Sequence, residues 1–378
     1  MDVRVEPPWT DSRRSRKAEP RTGDTHAATR AELAGHHFFS NPQRMYRLFR
    51  RALFSLEPER AHALALSTAQ LAYRSGLLAR SRDESASASV MGLRFPNRIG
   101  LAAGFDKNGR YVDALGSLGF GFVEVGTVTP RPQAGQPLPR LFRIPEAGAL
   151  INRMGFPNEG ASAVAARLAH RRFKGVCGVN IGKNAATPND RAIDDYVACF
   201  RALAPCADYI AVNVSSPNTQ NLRRLQGIDY LQPILEALLA ERDALTVALG
   251  RRVPVLTKIS PDLPHAELLA LAHLMQRLRM DGVIATNTTV TRPEVVEGSL
   301  GMEQGGLSGA PLRPFALRAV RTLRSVLAGQ VAIIGVGGIA CVADAIAMRE
   351  AGADLLQIYT GMVYCGPALI AQIGKALR

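Results

Sequence analysis

The sequence has few aromatic residues, no paired cysteine motif and no long apolar run, and each shortage excludes a class of protein. Aromatic residues make up 6% of the 378 residues, and no Lys/Arg block is interleaved with them as single-strand nucleic-acid binders require. The five cysteines form no Cys-x-x-Cys pair, which argues against a zinc site and a disulfide framework. The sequence contains no window of about 18 uninterrupted apolar residues, so no membrane span is predicted. We therefore expect a protein of a reducing compartment, with no nucleic-acid partner and no metal.

The N-terminal part of the chain differs from the rest in composition. Residues 1–44 contain Arg, Asp, Glu, Pro and Thr but no apolar segment typical of a signal peptide, so they are predicted to be a disordered extension. Met45 opens a more regular stretch and is a candidate start of the native protein. The net charge of +14 comes chiefly from Arg and suggests contact with an anionic surface.

Residues 45–82 are predicted to form a small helical domain. Apolar residues at 46, 48, 49, 53 and 54 alternate with Arg47, Arg50 and Arg51, and Pro58 is placed to begin a second helix. Short basic amphipathic helices lie on membranes or pack on a domain, and the pattern leaves both open. A Ser-rich linker, residues 81–89, follows.

Residues 90–378 are predicted to form a (β/α)8 barrel, an α/β fold of the TIM type. Eight short β-like runs are each followed by a helical pattern, and they lie at 99–103, 122–126, 176–181, 209–214, 253–259, 282–286, 331–336 and 355–359. A doubly wound open sheet is the alternative, but no Gly-x-Gly-x-x-Gly follows the first strand. The non-helical segment 129–151 is predicted to be an excursion over the barrel mouth.

Polar residues follow these predicted strands, where barrel enzymes place their chemistry. The densest group is Asn213, Ser215, Ser216 and Asn218, at the end of the fourth strand. Gly-rich turns after the seventh and eighth strands favour phosphate binding, and Lys107 and Lys258 suit an anionic ligand. All seven His residues lie away from the strand ends, and no Cys lies in the 213–218 loop. The candidate bases are therefore Ser216, Ser215 or a Lys, while Asp106 is the one acid near a strand end.

With these residues placed, the chain from about Tyr46 onward resembles the quinone-dependent (class 2) dihydroorotate dehydrogenases. The resemblance rests on the motifs at 100–108, 126–133, 151–156, 180–184, 213–218, 285–289, 306–309 and 335–339. It implies oxidation of (S)-dihydroorotate to orotate in de novo pyrimidine synthesis, with FMN as bound cofactor and a ubiquinone-type quinone as acceptor. The resemblance also implies that Ser216 takes the C5 proton of the substrate while C6 delivers hydride to the flavin. Thr219 and Phe156 are expected to line the exit path of the proton.

The resemblance also assigns expected roles to individual residues. The expected FMN contacts are Ala103, Gly104, Phe105, Asp106, Lys107, Thr127, Asn180, Asn213, Lys258, Thr286, Gly309, Gly338, Tyr359 and Thr360. The expected substrate contacts are Lys107, Asn152, Arg153, Met154, Gly155, Phe156, Asn213, Asn218, Asn287 and Thr288. His62, Arg143 and Tyr359 are expected to line a quinone tunnel under the N-terminal helices.

The resemblance further implies a monomer bound peripherally to the cytoplasmic side of the inner membrane through those helices.

Two alternative functions remain, an enzyme with another electron acceptor and a protein without catalytic activity. A class 1 enzyme using fumarate or NAD would carry Cys in place of Ser216 and would lack the N-terminal helices, and a non-catalytic flavin-binding barrel would not need the Asn/Ser group.

Overall fold

The computed structural model describes residues 42–78, 87–293 and 299–378, and residues 46–378 form one compact unit. Residues 1–41 and 79–86 lie outside the described residues, so most of the predicted extension and of the Ser-rich linker does too. The division into an extension, a helical domain and a barrel domain stays a prediction.

Within the described residues two helices precede the barrel, α1 at Pro42–Phe54 and α2 at Pro58–Arg74. The α2 helix begins where the sequence predicts, because the Glu57 carboxylate accepts from the backbone N–H groups of Glu59 and Arg60 and Pro58 occupies the first turn. Tyr46 of α1 donates from its hydroxyl to the carbonyl oxygen of Val363 at 2.7 Å. The helix pair therefore packs on the barrel unit.

Eight parallel strands close into a barrel, which confirms the predicted fold class. They are β3 (Ile99–Leu101), β4 (Phe122–Val128), β7 (Val176–Ile181), β8 (Tyr209–Asn213), β9 (Val255–Ile259), β10 (Gly282–Ala285), β12 (Ala332–Val336) and β13 (Leu355–Ile358). Neighbours in the barrel follow chain order, and β13 pairs with β3 to close the ring. Nearly every residue of these strands is buried, as expected of strands covered on both faces.

Helices surround the barrel between the strands. They are α3 (Val112–Gly116), α4 (Ala161–Leu168), α5 (Ala192–Leu203), α6 (Ile228–Leu249), α7 (His265–Arg277), α8 (Arg313–Leu327), α9 (Val342–Glu350), α10 (Thr360–Cys365) and α11 (Ala368–Ala376). None of the helices in the described ranges is long and apolar enough to cross a membrane.

Two additional sheets of the described chain lie outside the ring. A hairpin of β1 (Ala88–Val90) and β2 (Leu93–Phe95) brings Phe95 edge-on against Phe122 of the barrel, with ring centroids 5.3 Å apart. The segment predicted as an excursion carries β5 (Leu141–Ile144) and β6 (Ala149–Asn152), which pair with β11 (Gly306–Gly309) in an antiparallel sheet. The sequence did not predict these strands. They bring Asn152 to the C-terminal end of the barrel.

Candidate active site

The carboxyl ends of the barrel strands open into a cavity of about 320 Å³. Because the strands are parallel, the residues that follow them meet at this one end. The sequence-predicted residues that line the cavity are His62, Ala103, Gly104, Lys107, Thr127, Asn152, Met154, Gly155, Phe156, Asn213, Ser216, Asn218, Lys258, Thr286, Asn287, Thr288, Gly309, Gly338, Tyr359 and Thr360. Most of the predicted site residues therefore share one cavity.

Three predicted residues near the cavity support its wall instead of lining it. The Asp106 carboxylate accepts from the backbone N–H groups of Arg110 and Tyr111 at 3.0 and 2.7 Å, so it shapes the loop after β3. Phe105 packs edge-on between the rings of His62 and Tyr359. Asn180 lies beneath the cavity floor, fully buried.

Two predicted arginines are engaged elsewhere. Arg153 forms an ion pair with Glu303 at 2.5 Å and stacks its guanidinium over the ring of Phe142. Arg143 donates to the carbonyl oxygens of Phe54 and Leu56 at the end of α1, and its guanidinium lies 4.6 Å from the centroid of the Phe54 ring. Neither is among the cavity-lining residues. Arg143 holds the N-terminal helices against the β5 strand.

The Asn and Ser side chains form a hydrogen-bonded group on one side of the cavity. The Asn213 side chain accepts at Oδ1 from the Ser215 hydroxyl and from the amide of Asn287, at 3.2 and 3.3 Å. The Asn218 amide donates to Asn152 Oδ1 at 3.1 Å, which joins the β8 loop to the β6 strand. Amides fixed this way present defined donors and acceptors to a polar ligand.

Ser216 is buried at the cavity wall, and its Oγ accepts from the backbone N–H of Asn218 at 3.3 Å. No charged side chain within the described ranges hydrogen-bonds to this hydroxyl. Thr219, three residues further on, is also buried, and its hydroxyl has no hydrogen-bond partner in the part of the chain that the structure describes. The geometry places a hydroxyl at the cavity but does not activate it through an adjacent His or carboxylate.

Lys107 is the first of two lysines in the cavity. Its ammonium donates to the carbonyl oxygen of Gly104 at 2.9 Å. Burial lowers the pKa of Lys107 from 10.5 to about 8, while the nearby Glu59 carboxylate raises it and the Arg140 guanidinium lowers it. Glu59 and Arg140 pair with each other at 2.8 Å, so a residue of α2 acts electrostatically on the barrel site.

Lys258 is the second lysine. Glu124 beside it and Gln357, which hydrogen-bonds to Glu124, were not predicted from the sequence as site residues. The Lys258 ammonium lies 3.9 Å from a carboxylate oxygen of Glu124, a fully buried residue of β4. Burial lowers the pKa of Lys258, and the Glu124 carboxylate raises it. Gln357 of β13 donates to the same carboxylate at 2.7 Å and also lines the cavity. Glu124 could have been recognised from the sequence, because it is a single acid in the otherwise uncharged strand 122–128.

A further group of cavity residues combines small and hydroxyl side chains. The Ser308 and Thr360 hydroxyls lie 2.8 Å apart, next to Gly309 and Gly338. A Cβ at Gly309 would lie 2.3 Å from the carbonyl oxygen of Gly148, so only glycine fits there. The hydroxyl donors lie beside glycines that let the backbone come close to a bound group, which suits a phosphate.

These donor sets fit a flavin mononucleotide. The two lysines suit an anionic group, the glycine and hydroxyl side suits its phosphate, and the apolar residues Leu141, Leu150 and Val336 suit a ring system. In addition, Gln357 Oε1 is buried without a hydrogen-bond partner among residues 42–78, 87–293 and 299–378, so the cavity floor has an acceptor available for a ligand N–H.

The family model described as dihydroorotate dehydrogenase matches residues 85–378. The chain is 50% identical over 337 residues to the dihydroorotate dehydrogenase (quinone) of Stenotrophomonas maltophilia, covering 88% of this chain and 96% of that protein. It is 48% identical over 333 residues to the protein of that name from Neisseria meningitidis, covering 88% of this chain and 99% of that one. A crystal structure of DHODH from Eimeria tenella in complex with ferulenol superposes with a TM-score of 0.78 at 38% identity, covering 85% of this chain and 90% of that one.

Proposed function

The chain belongs to the dihydroorotate dehydrogenase family, and we propose that it oxidises (S)-dihydroorotate to orotate, a step of de novo pyrimidine synthesis, with bound FMN and a membrane quinone as electron acceptor. The relatives from Stenotrophomonas maltophilia and Neisseria meningitidis, about half identical over most of the chain, are named as quinone enzymes, which supports the acceptor. The group of Asn and Ser side chains in the same cavity as Lys107 is the observation that carries the substrate assignment.

The substrate assignment follows from matching polar groups. A dihydropyrimidine carboxylate has ring carbonyls and ring N–H groups that need both acceptors and donors. Asn152, Asn213, Asn218 and Asn287 supply both kinds of group, and a buried site made of amides rejects ligands that leave those amides unpaired. Lys107 supplies positive charge for the carboxylate.

The cofactor assignment rests on the lysines and on the glycine and hydroxyl residues that line the cavity. Gly309, Gly338 and Thr360 would hold the phosphate of FMN, while Thr127, Lys258 and Thr286 would face its ring system. When bound, FMN supplies two-electron chemistry, taking electrons from the substrate and passing them to the acceptor. The contacts expected of Phe105, Asp106 and Asn180 would be indirect, through the loop after β3 and the cavity floor.

Ser216 is proposed to remove the C5 proton of the substrate. Its hydroxyl oxygen accepts only a backbone N–H within the described chain, so a lone pair remains to take the C5 proton while the hydroxyl passes its own proton to a relay of water. Phe156 lines the same cavity as Ser216, and the buried Thr219 hydroxyl, which has no hydrogen-bond partner among the described residues, is proposed to take the proton onward from that water. The buried setting excludes bulk water, which strengthens polar interactions with the reacting atoms.

The quinone side is proposed to lie between α2 and the barrel. His62 and Ala63 of α2 line the same cavity as Tyr359, together with Leu141 and Leu150. Arg143 would act there by holding α1 in place. Exposed apolar residues on α1 and α2, including Leu48, Phe49, Leu64 and Leu71, suit peripheral contact with a membrane. We assign the protein, as a monomer, to the cytoplasmic face of the inner membrane.

The test is an anaerobic titration of the purified protein. The yellow flavin absorbance should bleach when dihydroorotate is added, and it should return on addition of a long-chain quinone but not of fumarate or NAD. A flavin that dihydroorotate leaves oxidised would overturn the proposal. Bleaching followed by recovery with fumarate or NAD alone would retain the substrate and replace the acceptor.

A further inference from the structure

Glu124 is the one fully buried carboxylate within the described residues of the barrel strands. It lies in the middle of β4, and no charged residue accompanies it in that strand. Placing a carboxylate in a protein interior is costly unless its oxygens receive several hydrogen bonds. Its surroundings therefore indicate what this carboxylate does.

Four donors from four other strands surround the Glu124 carboxylate. Oε1 accepts from the Asn180 amide at 2.9 Å and lies 3.9 Å from the Lys258 ammonium. Oε2 accepts from the Tyr209 hydroxyl at 2.8 Å and from the Gln357 amide at 2.7 Å. A Cβ at Gly178, the residue between Glu124 and Tyr209 in strand register, would lie 2.0 Å from the Tyr209 ring, so the missing side chain makes this contact possible.

The carboxylate fixes the orientation of the amides beyond it. It can only accept, so Asn180 must turn its Nδ2 toward Glu124. Asn180 Oδ1 then accepts from the Thr127 hydroxyl at 2.5 Å and from Asn213 Nδ2 at 3.1 Å. Asn213 in turn directs its Oδ1 to the amide of Asn287 at 3.3 Å. Each amide has its donor side determined by the one before it.

We propose that Glu124 is a positioning residue that sets the donor and acceptor orientation of Asn180, Asn213 and Asn287, and thereby the pattern that the cavity presents to its substrate. The inference rests on the proposed function only for the identity of the ligand, orotate. Glu124 itself does not line the cavity, so it acts through the amides.

Glu124→Gln tests this orientation because it keeps the shape of the side chain. If the new amide oxygen stays with Tyr209 and Gln357, the new amide nitrogen faces Asn180 Nδ2, and two donors conflict. Asn180 must turn over, and Asn213 then meets a donor at the position where it now finds an acceptor. We expect the dissociation constant for orotate, measured by isothermal titration, to rise about tenfold or more, since a buried polar group is left unpaired.

The double variant Glu124→Gln with Asn180→Asp restores the pattern. Its amide nitrogen at position 124 donates to the carboxylate at position 180, whose other oxygen accepts from Thr127 and Asn213 as before. Orotate affinity should therefore recover toward wild type, a coupling that general damage to the core does not produce. Tyr209→Phe is the matched control, because it removes one donor from Oε2 and leaves the amide orientation unchanged.

Orotate affinities of these variants support or overturn the proposal. Weak binding in Glu124→Gln with recovery in the double variant supports the proposal. Wild-type affinity in Glu124→Gln, a double variant that binds no better, or an equal loss in Tyr209→Phe overturns it. If Glu124→Gln does not fold, Asn180→Asp alone provides the same comparison with the double variant, because two carboxylates then face each other. Wild-type protein that fails to bind orotate at all would count against the proposed function instead.

Discussion

The Nε2 atom of His62 lies 2.8 Å from the carbonyl oxygen of Phe105, and this hydrogen bond joins α2 to the loop after β3. A carbonyl only accepts, so Nε2 carries the hydrogen and Nδ1 is left as an acceptor. Burial and, to a smaller extent, the nearby Lys107 ammonium together lower the pKa of His62 from 6.5 to about 4, although the hydrogen bond to Phe105 opposes the shift. The contact between the helix pair and the barrel is thus made by a neutral imidazole.

This contact predicts a pH dependence of stability. Below pH 6.5 the unfolded chain binds a proton at His62 that the folded protein does not accept until about pH 4. The contribution of His62 to stability is therefore full above pH 6.5 and is lost as the pH falls toward 4. Urea unfolding midpoints measured at about pH 7 and about pH 5 should show a smaller loss in His62→Gln than in wild type. The exposed His265 offers the control, since His265→Gln should lose as much as wild type.

Lys107 predicts a second pH effect, on ligand binding. Its pKa of about 8 means that it loses its positive charge as the pH rises through that value, so affinity for anionic orotate should fall over the same range. Glu59→Gln should move the midpoint of this fall to lower pH, and Arg140→Gln should move it to higher pH, because these groups act on Lys107 with opposite signs. Titrations across the pH range measure both. The exposed Glu146→Gln should leave the midpoint unchanged, and shifts of equal sign in the first two variants would refute the coupling.

Ser216 predicts a kinetic defect without loss of cofactor. Ser216→Ala should retain FMN but slow flavin reduction by dihydroorotate about 100-fold to 10,000-fold, the usual contribution of a general base. Stopped-flow absorbance measures this rate. Ser215→Ala is the matched comparison, because the Ser215 hydroxyl contacts Asn213 and Asn287 and does not line the cavity. Its main effect should be weaker substrate binding. Wild-type reduction rates in Ser216→Ala would transfer the role of base to Ser215 or Lys107.

The barrel was predictable from sequence because buried parallel strands are near-continuous apolar runs, and the polar residues at their ends mark the site. The hydrogen bonds that Glu124 accepts could not be predicted, since its partners are up to 233 positions away in sequence and meet it only when the barrel closes. Arg143 could be placed only through the family resemblance, which puts it near the quinone. In the structure its guanidinium donates to the carbonyl oxygen of Leu56 beyond α1, and its place at the quinone stays a prediction.

The proposed membrane contact is expected on the outer face of the helix pair. Leu64 and Leu71 on α2 are 49% and 69% exposed, and Leu77 beyond it is 80% exposed, although each would favour burial by roughly 2 kcal/mol. Basic residues Arg47 and Arg51 on α1 add attraction to anionic lipid. An apolar and basic face of this kind is stabilised by insertion at the lipid interface.

Substitution of Leu64 and Leu71 by Asp should therefore weaken cosedimentation with vesicles containing anionic lipid, because two charges would have to enter the interface. Turnover with a long-chain quinone in vesicles should fall with it, while anaerobic flavin reduction by dihydroorotate should stay at the wild-type rate, since neither leucine lines the cavity. Val247→Asp is the matched control, because Val247 is 87% exposed on α6, away from the helix pair in sequence. If the double Asp variant cosediments as wild type does, the membrane contact must lie on another face.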